Sequence, residues 1–201
     1  MTSNNCSTPI EIHPWKPWLP EGSRVMFLGS FPPAKKRHAM DFYYPNRTND
    51  FYRVMGLIFH NDADYFIDKE HRGYKEAEIK NMLASEGIAL SDTGLKIRRL
   101  AGNASDKFLE IVEPVNLDEI IEKLPHLERI ATTGLKAAET LAQITGTAIP
   151  DIGAFTIWER ADGRKIEIWR VPSTSRAYPL AVEKKAEAYR KFIAGKCPGL
   201  I

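Results

Sequence analysis

Apolar and polar positions along this chain follow two alternating periods, and the alternation decides its fold class. Four short runs are apolar almost without interruption: Val25–Leu28, Ile88–Leu90, Arg129–Thr132 and Ile166–Val171. Strands buried on both faces, as in a parallel sheet, read in this way. Between them the spacing lengthens to that of a helix. Asn49–Phe59 places apolar residues at 51, 54, 55 and 58, and Lys75–Gly87 ends on a glycine suited to a helix C-cap. Asn116–Leu124 opens with an Asn-x-x-Glu variant of the capping box. Gly134–Ile144 and Pro179–Gly195 complete the helical set. Alternating strands and helices with right-handed crossovers imply a three-layer α/β/α sandwich around a central, mostly parallel four-stranded sheet. Ala154–Arg160 is expected to pair with the last strand across an "ADG" turn at Ala161–Gly163.

Composition narrows the class without changing it. A chain of 201 residues, 43% hydrophobic and 27% charged, is long enough for one domain with a sizeable core. That domain is expected over residues 23–201, behind a Pro-rich, extended arm (residues 1–22) pinned by Trp15 and Trp18. No apolar stretch approaches the roughly 20 residues that span a bilayer. The opening residues also lack the basic and apolar regions of a signal peptide, so a cytoplasmic protein is expected. Cys6 and Cys197 lie near opposite ends, which argues against a cysteine-built zinc or iron–sulfur site and for free thiols. Five histidines, at 13, 38, 60, 71 and 126, show no ligand spacing and are expected to be structural or exposed. No metal or cofactor is expected.

Net charge is only +2, but its distribution is uneven. Arg24, Lys35, Lys36, Arg37, Arg47 and Arg53 crowd the stretch after the first strand, and acid collects over Glu110–Glu128. A basic loop at a strand end favours a phosphate-bearing partner. Three loops leave strand ends in this scheme: Gly29–Asp50, Ser91–Asp106 and Pro172–Pro179. In the first, Pro32 and Pro33 fix φ and remove two donors, and Pro32 pushes Phe31 out of the helical region. The result is a stiff ledge where open α/β sheets place their ligands. Taken singly, these residues have plainer roles: Tyr43, Tyr44 and Phe51 suit a core, Asn49 suits a helix N-cap, and Asp92 suits a turn. No GxSxG elbow, Walker loop or GxGxxG is present.

In combination, four motifs resemble the uracil-DNA glycosylase superfamily. They are "GSFPP" at Gly29–Pro33, "YPNRTNDFY" at Tyr44–Tyr52, "GIALSDT" at Gly87–Thr93 and "VPSTSRA" at Val171–Ala177. The second follows the mismatch-specific branch. The third, and the "PSTS" of the fourth, are similar to the hypoxanthine-DNA glycosylase-like branch. The resemblance implies a glycosylase that flips uracil or hypoxanthine out of DNA and hydrolyses its N-glycosidic bond; with no lysine placed as a Schiff-base nucleophile it is expected to be monofunctional, and a monomer is expected. Where better-known branches carry a catalytic Asp or Asn, this chain has Phe31. By motif position Asn49 would substitute, holding water or leaving group, with Asp92 as an assisting carboxylate. Tyr44 would stack on the base, and Gly29, Ser30, Phe31, Pro32 and Phe51 would complete its pocket. Lys35, Lys36, Arg37 and the Ser173, Thr174 and Ser175 loop would hold DNA, with Arg176 or Tyr178 as the wedge. Phe31 also admits a catalytically silent DNA- or nucleotide-binding module. A small-molecule α/β hydrolase lacks support, having no nucleophile–His–acid signature.

Overall fold

The computed structural model describes residues 8–100 and 108–200. Cys6 and the stretch 101–106 of the second expected loop lie outside the described residues. In chain order the strands are β1 (Ile10–Ile12), β2 (Val25–Gly29), β3 (Ile67–Asp68), β4 (Gly73–Tyr74), β5 (Ile88–Asp92), β6 (Gly94–Arg99), β7 (Leu109–Pro114), β8 (Arg129–Thr132), β9 (Phe155–Glu159) and β10 (Lys165–Arg170). The helices are α1 (Phe51–Phe59), α2 (Glu76–Ser85), α3 (Leu117–Glu122), α4 (Leu135–Thr145) and α5 (Val182–Ile193).

The central sheet runs β5-β2-β8-β10-β9, with the first four strands parallel and β9 antiparallel at the edge. It thus has five strands, because the expected hairpin partner of β10 joins the four apolar runs. Every residue of β2 and β5 is buried, since helices cover both faces. Val25 and Phe27 point to the layer of α1, α2 and α5, where Phe51, Met55, Leu83, Tyr189 and Phe192 enclose them. Met26 and Leu28 point the other way, to Leu117, Ile121 and Leu141 of α3 and α4. Half of the expected capping box forms: Asn116 Oδ1 accepts from Glu119 N–H, while Glu119 Oε1 accepts from the Asn116 side-chain Nδ2 rather than from its backbone N–H.

Gly94–Arg99, expected to lie in a loop, is instead a strand. It pairs antiparallel with β7 on one side and with β1 of the arm on the other, forming a separate three-stranded sheet. The arm runs on beside β5, where Trp18 and Leu90 exchange both backbone hydrogen bonds at 2.9 Å. Strand order reverses about β2: the chain goes first to β5 on one side and then to β8 on the other. Such a reversal opens a crevice at the carboxyl ends of the strands.

Candidate functional site

A cavity of about 520 Å³ occupies that crevice. Its walls are the ledge after β2, the Tyr44–Asn49 segment, Thr133 and Gly134 after β8, and Ser173–Ala177 after β10. Asp92 and Arg99 reach it from β5 and β6. The first and third expected loops therefore converge, while the second contributes, among the described residues, those two side chains.

The ledge owes its stiffness to more than its prolines. Arg99 donates from Nη2 to the Pro32 carbonyl at 2.6 Å, its guanidinium lies 5.6 Å from the Phe31 ring centroid, and Nε donates to Glu11 Oε1 at 2.8 Å. A cation over an aromatic face in a part-buried site is worth about 1 kcal/mol. Gly29 is required by proximity: a Cβ there would collide with Asp92 Oδ1. Gly29 and Asp92 are register partners across β2 and β5, so the carboxylate stands beside the first residue of the ledge.

Tyr44 adopts φ 53°, a left-handed conformation that costs a non-glycine residue about 1–3 kcal/mol. The strain lays its ring flat on Phe51, with centroids 3.8 Å apart and planes within 5°, and brings its hydroxyl 3.2 Å from Thr133 Oγ1. Burial pushes the Tyr44 phenol well up, and the Asp92 charge pushes it further, so it stays a neutral hydrogen-bonding group. Phe51 does not complete the pocket: its ring is 0% exposed, covered by Tyr44 and packed among Phe27, Tyr52 and Tyr189. Of the stacked pair, Tyr44 is the ring that lines the cavity.

Asn49 is half-buried on the cavity wall. Its Oδ1 accepts the Phe51 N–H at 2.9 Å, which fixes the amide orientation because only an oxygen can accept there. The Nδ2 donor has no partner among the described residues. The N-cap position itself falls to Asp50, whose side chain makes no cap hydrogen bond, and Asn49 holds the first helical N–H from one residue further out. Its neighbour Asp50 is buried between two cations, Arg176 Nε at 2.9 Å and Lys185 Nζ at 3.0 Å. Lys185, 0% exposed, also donates to the Ser175 carbonyl at 3.2 Å. Backbone bonds from Asp50 N–H to Thr174 O and from Arg176 N–H to Thr48 O complete the lock between the two loops.

That lock changes the expected roles around Ser173–Tyr178. Arg176 is tied to Asp50 rather than standing free as a wedge, though its side chain keeps 47% exposure. The Ser175 N–H is engaged by Ser173 Oγ and the Arg176 N–H by Thr48, so neither amide is open to a phosphate. Thr174 is buried, and Tyr178 is half-buried away from the cavity lining. Lys35, Lys36 and Arg37 form one exposed 3-10 turn, from which only Arg37 lines the cavity. Ser30 and Pro32 line it as expected.

Two side chains beside the cavity were not assigned to it from the sequence. Arg99 sits in a run, "GLKIRR", whose alternation marks a strand once both partners are known. His13 is expected to be structural or exposed, yet it lies against Asp92, with Nε2 2.9 Å from Oδ2. Nothing local marks it, since the partner is 79 residues away.

Among solved structures 16 chains match. One is the solution NMR structure of a "putative Uracil DNA glycosylase" from Methanosarcina acetivorans, 22% identical, with a TM-score of 0.60. The match covers 90% of this chain and 96% of that one. No family model matches the sequence, and no curated protein matches it. At this identity the likeness establishes a shared fold: the chain has the α/β architecture of that protein.

Proposed function

We propose that the protein is a monofunctional DNA glycosylase that hydrolyses the N-glycosidic bond of a deaminated base, uracil or hypoxanthine, flipped out of DNA. The observation that carries the reading is the pairing, in one cavity, of the Asn49 amide, whose Nδ2 has no partner among the described residues, with the Asp92 carboxylate under an arginine-bearing rim. Flipping costs a few kcal/mol, offset in part by stacking on Tyr44, worth about 1–3 kcal/mol. As the bond from the sugar C1′ to the base nitrogen breaks, its electron pair leaves with the base. The sugar becomes cationic. Asn49 Nδ2 donates to the base anion, a preorganised donor in a water-poor cleft. An amide has no basic lone pair near neutral pH, so Asn49 cannot take a proton. Asp92 Oδ1 accepts one from the attacking water, whose oxygen bonds to C1′, and that proton finally neutralises the base. The products are the free base and an abasic site.

The test is base release from labelled oligonucleotides carrying uracil or hypoxanthine, single-stranded and paired. Asn49→Asp is the informative variant, because it keeps an oxygen for the Phe51 N–H and replaces the Nδ2 donor by a charged, accepting oxygen. Release is expected to fall about 10²–10³-fold, with DNA binding retained. Binding without release by the unaltered protein would favour the silent module, for which Phe31 is the argument.

A further inference from the structure

Asp92 is only 6% exposed, and a carboxylate so placed is costly to ionise without a partner. The N-terminal arm supplies one. The His13 side chain is 3% exposed, with Nε2 2.9 Å from Asp92 Oδ2 and Nδ1 2.8 Å from the Trp15 carbonyl oxygen. A carbonyl only accepts, so the shorter Nδ1 contact puts a hydrogen on that nitrogen. The Trp15 N–H, 3.2 Å from the same atom, is the weaker claim. At 2.9 Å Nε2 is within hydrogen-bonding distance of Oδ2, which ties that oxygen to the arm and leaves Oδ1 to face the cavity. Phe31 meets the imidazole edge-on at 5.3 Å, and Tyr43 and Trp15 pack on it at 5.7 and 5.8 Å. Oδ1 has no hydrogen-bond partner among the described residues and lies over Gly29, on the cavity wall.

We infer that His13 is a positioning residue of the active site: by holding Oδ2 it aims Oδ1 of Asp92 into the cavity and keeps it able to accept a proton. The arm thereby completes a site in which Phe31 occupies the place of an acid. This role rests on the glycosylase reading above.

The experiment is single-turnover base release by the full chain, comparing His13→Ala, His13→Gln, Asp92→Asn and the Gln/Asn double variant. Glutamine keeps an N–H within reach of Oδ2. His13→Ala should lower kcat about tenfold or more, a share of the 10²–10⁴ that a positioned base contributes, with KM within about twofold. His13→Gln should recover part of the loss. In the Asp92→Asn background His13→Gln should change nothing, because the two side chains act as one unit. Circular dichroism and urea midpoints identify any variant that fails to fold. An unchanged kcat in His13→Ala, or an equal loss from His13→Gln in both backgrounds, overturns the inference while leaving the glycosylase reading intact. No release by the unaltered protein removes both.

Discussion

Lys185→Met deletes an ammonium with no solvent exposure that bridges Asp50 and the Ser175 carbonyl. Methionine has similar volume, so the cavity contribution is small and the loss is electrostatic. Removing one partner of a buried ion pair costs about 3–5 kcal/mol, because the other charge is left uncompensated. Asp50 keeps Arg176 at 2.9 Å, however, on a side chain half in solvent. The expected loss therefore falls to about 2–3 kcal/mol, including about 1 kcal/mol for the Ser175 carbonyl. Asp50→Asn should cost more, about 3–5 kcal/mol, since Lys185 then faces only an amide and a carbonyl. The double variant should lose less than the sum, by about 1 kcal/mol or more. Equilibrium urea unfolding measures all three, read as midpoint shifts at constant m-value. A loss below about 1 kcal/mol for Lys185→Met, or a larger loss than for Asp50→Asn, would refute the claim that this pair locks the loops.

Other outcomes follow from single residues. Arg37, the cavity-lining cation of its turn, contacts phosphate in the proposed complex, so Arg37→Ala should reduce the slope of log binding constant against log salt by about 1. A slope unchanged in titrations from low to moderate salt would remove Arg37 from the interface. Burial pushes the Cys197 thiol up to about 12, with Glu86 adding to the shift, so it stays protonated at pH 8. Iodoacetamide should label its peptide about a thousandfold more slowly in the folded protein than in urea, as followed by mass spectrometry. Labelling at the unfolded rate would mean that the C-terminal segment opens freely.

The central sheet was legible because both its faces are covered: continuous apolar runs have no other reading in a chain of strand–helix alternation. The expected Val25–Leu28 and Arg129–Thr132 strands fall within a residue of β2 and β8. The small sheet was hidden for the opposite reason. Its strands alternate apolar with charged residues, and its first member is three residues long and pairs with a strand more than 80 positions away. The candidate site divides along the same line. The ledge, Tyr44 and Asn49 occupy contiguous motifs and could be read locally. Phe51 carried two readings, core and pocket, and the left-handed turn at Tyr44 decides for the core. The Asp50–Lys185 and His13–Asp92 pairs span 135 and 79 residues, and electrostatic pairing at that range leaves no local pattern.

The arm's docking has a consequence for the order in which the molecule assembles. Residues 10–18 emerge early in synthesis, but they meet their partners only when β5 and β6 have followed. At 5–20 residues per second, the 79 residues between His13 and Asp92 take about 4–16 s to make. Through that interval Ile10, Ile12 and Trp18 have no strand to lie against. The arm therefore docks only after β5 and β6 have been made, a contact of high sequence separation. A mutation that weakens it would speed undocking more than it slows collapse of the core. Activity and global stability would then part company: a chain could be folded by every optical measure and still lack the imidazole behind its carboxylate.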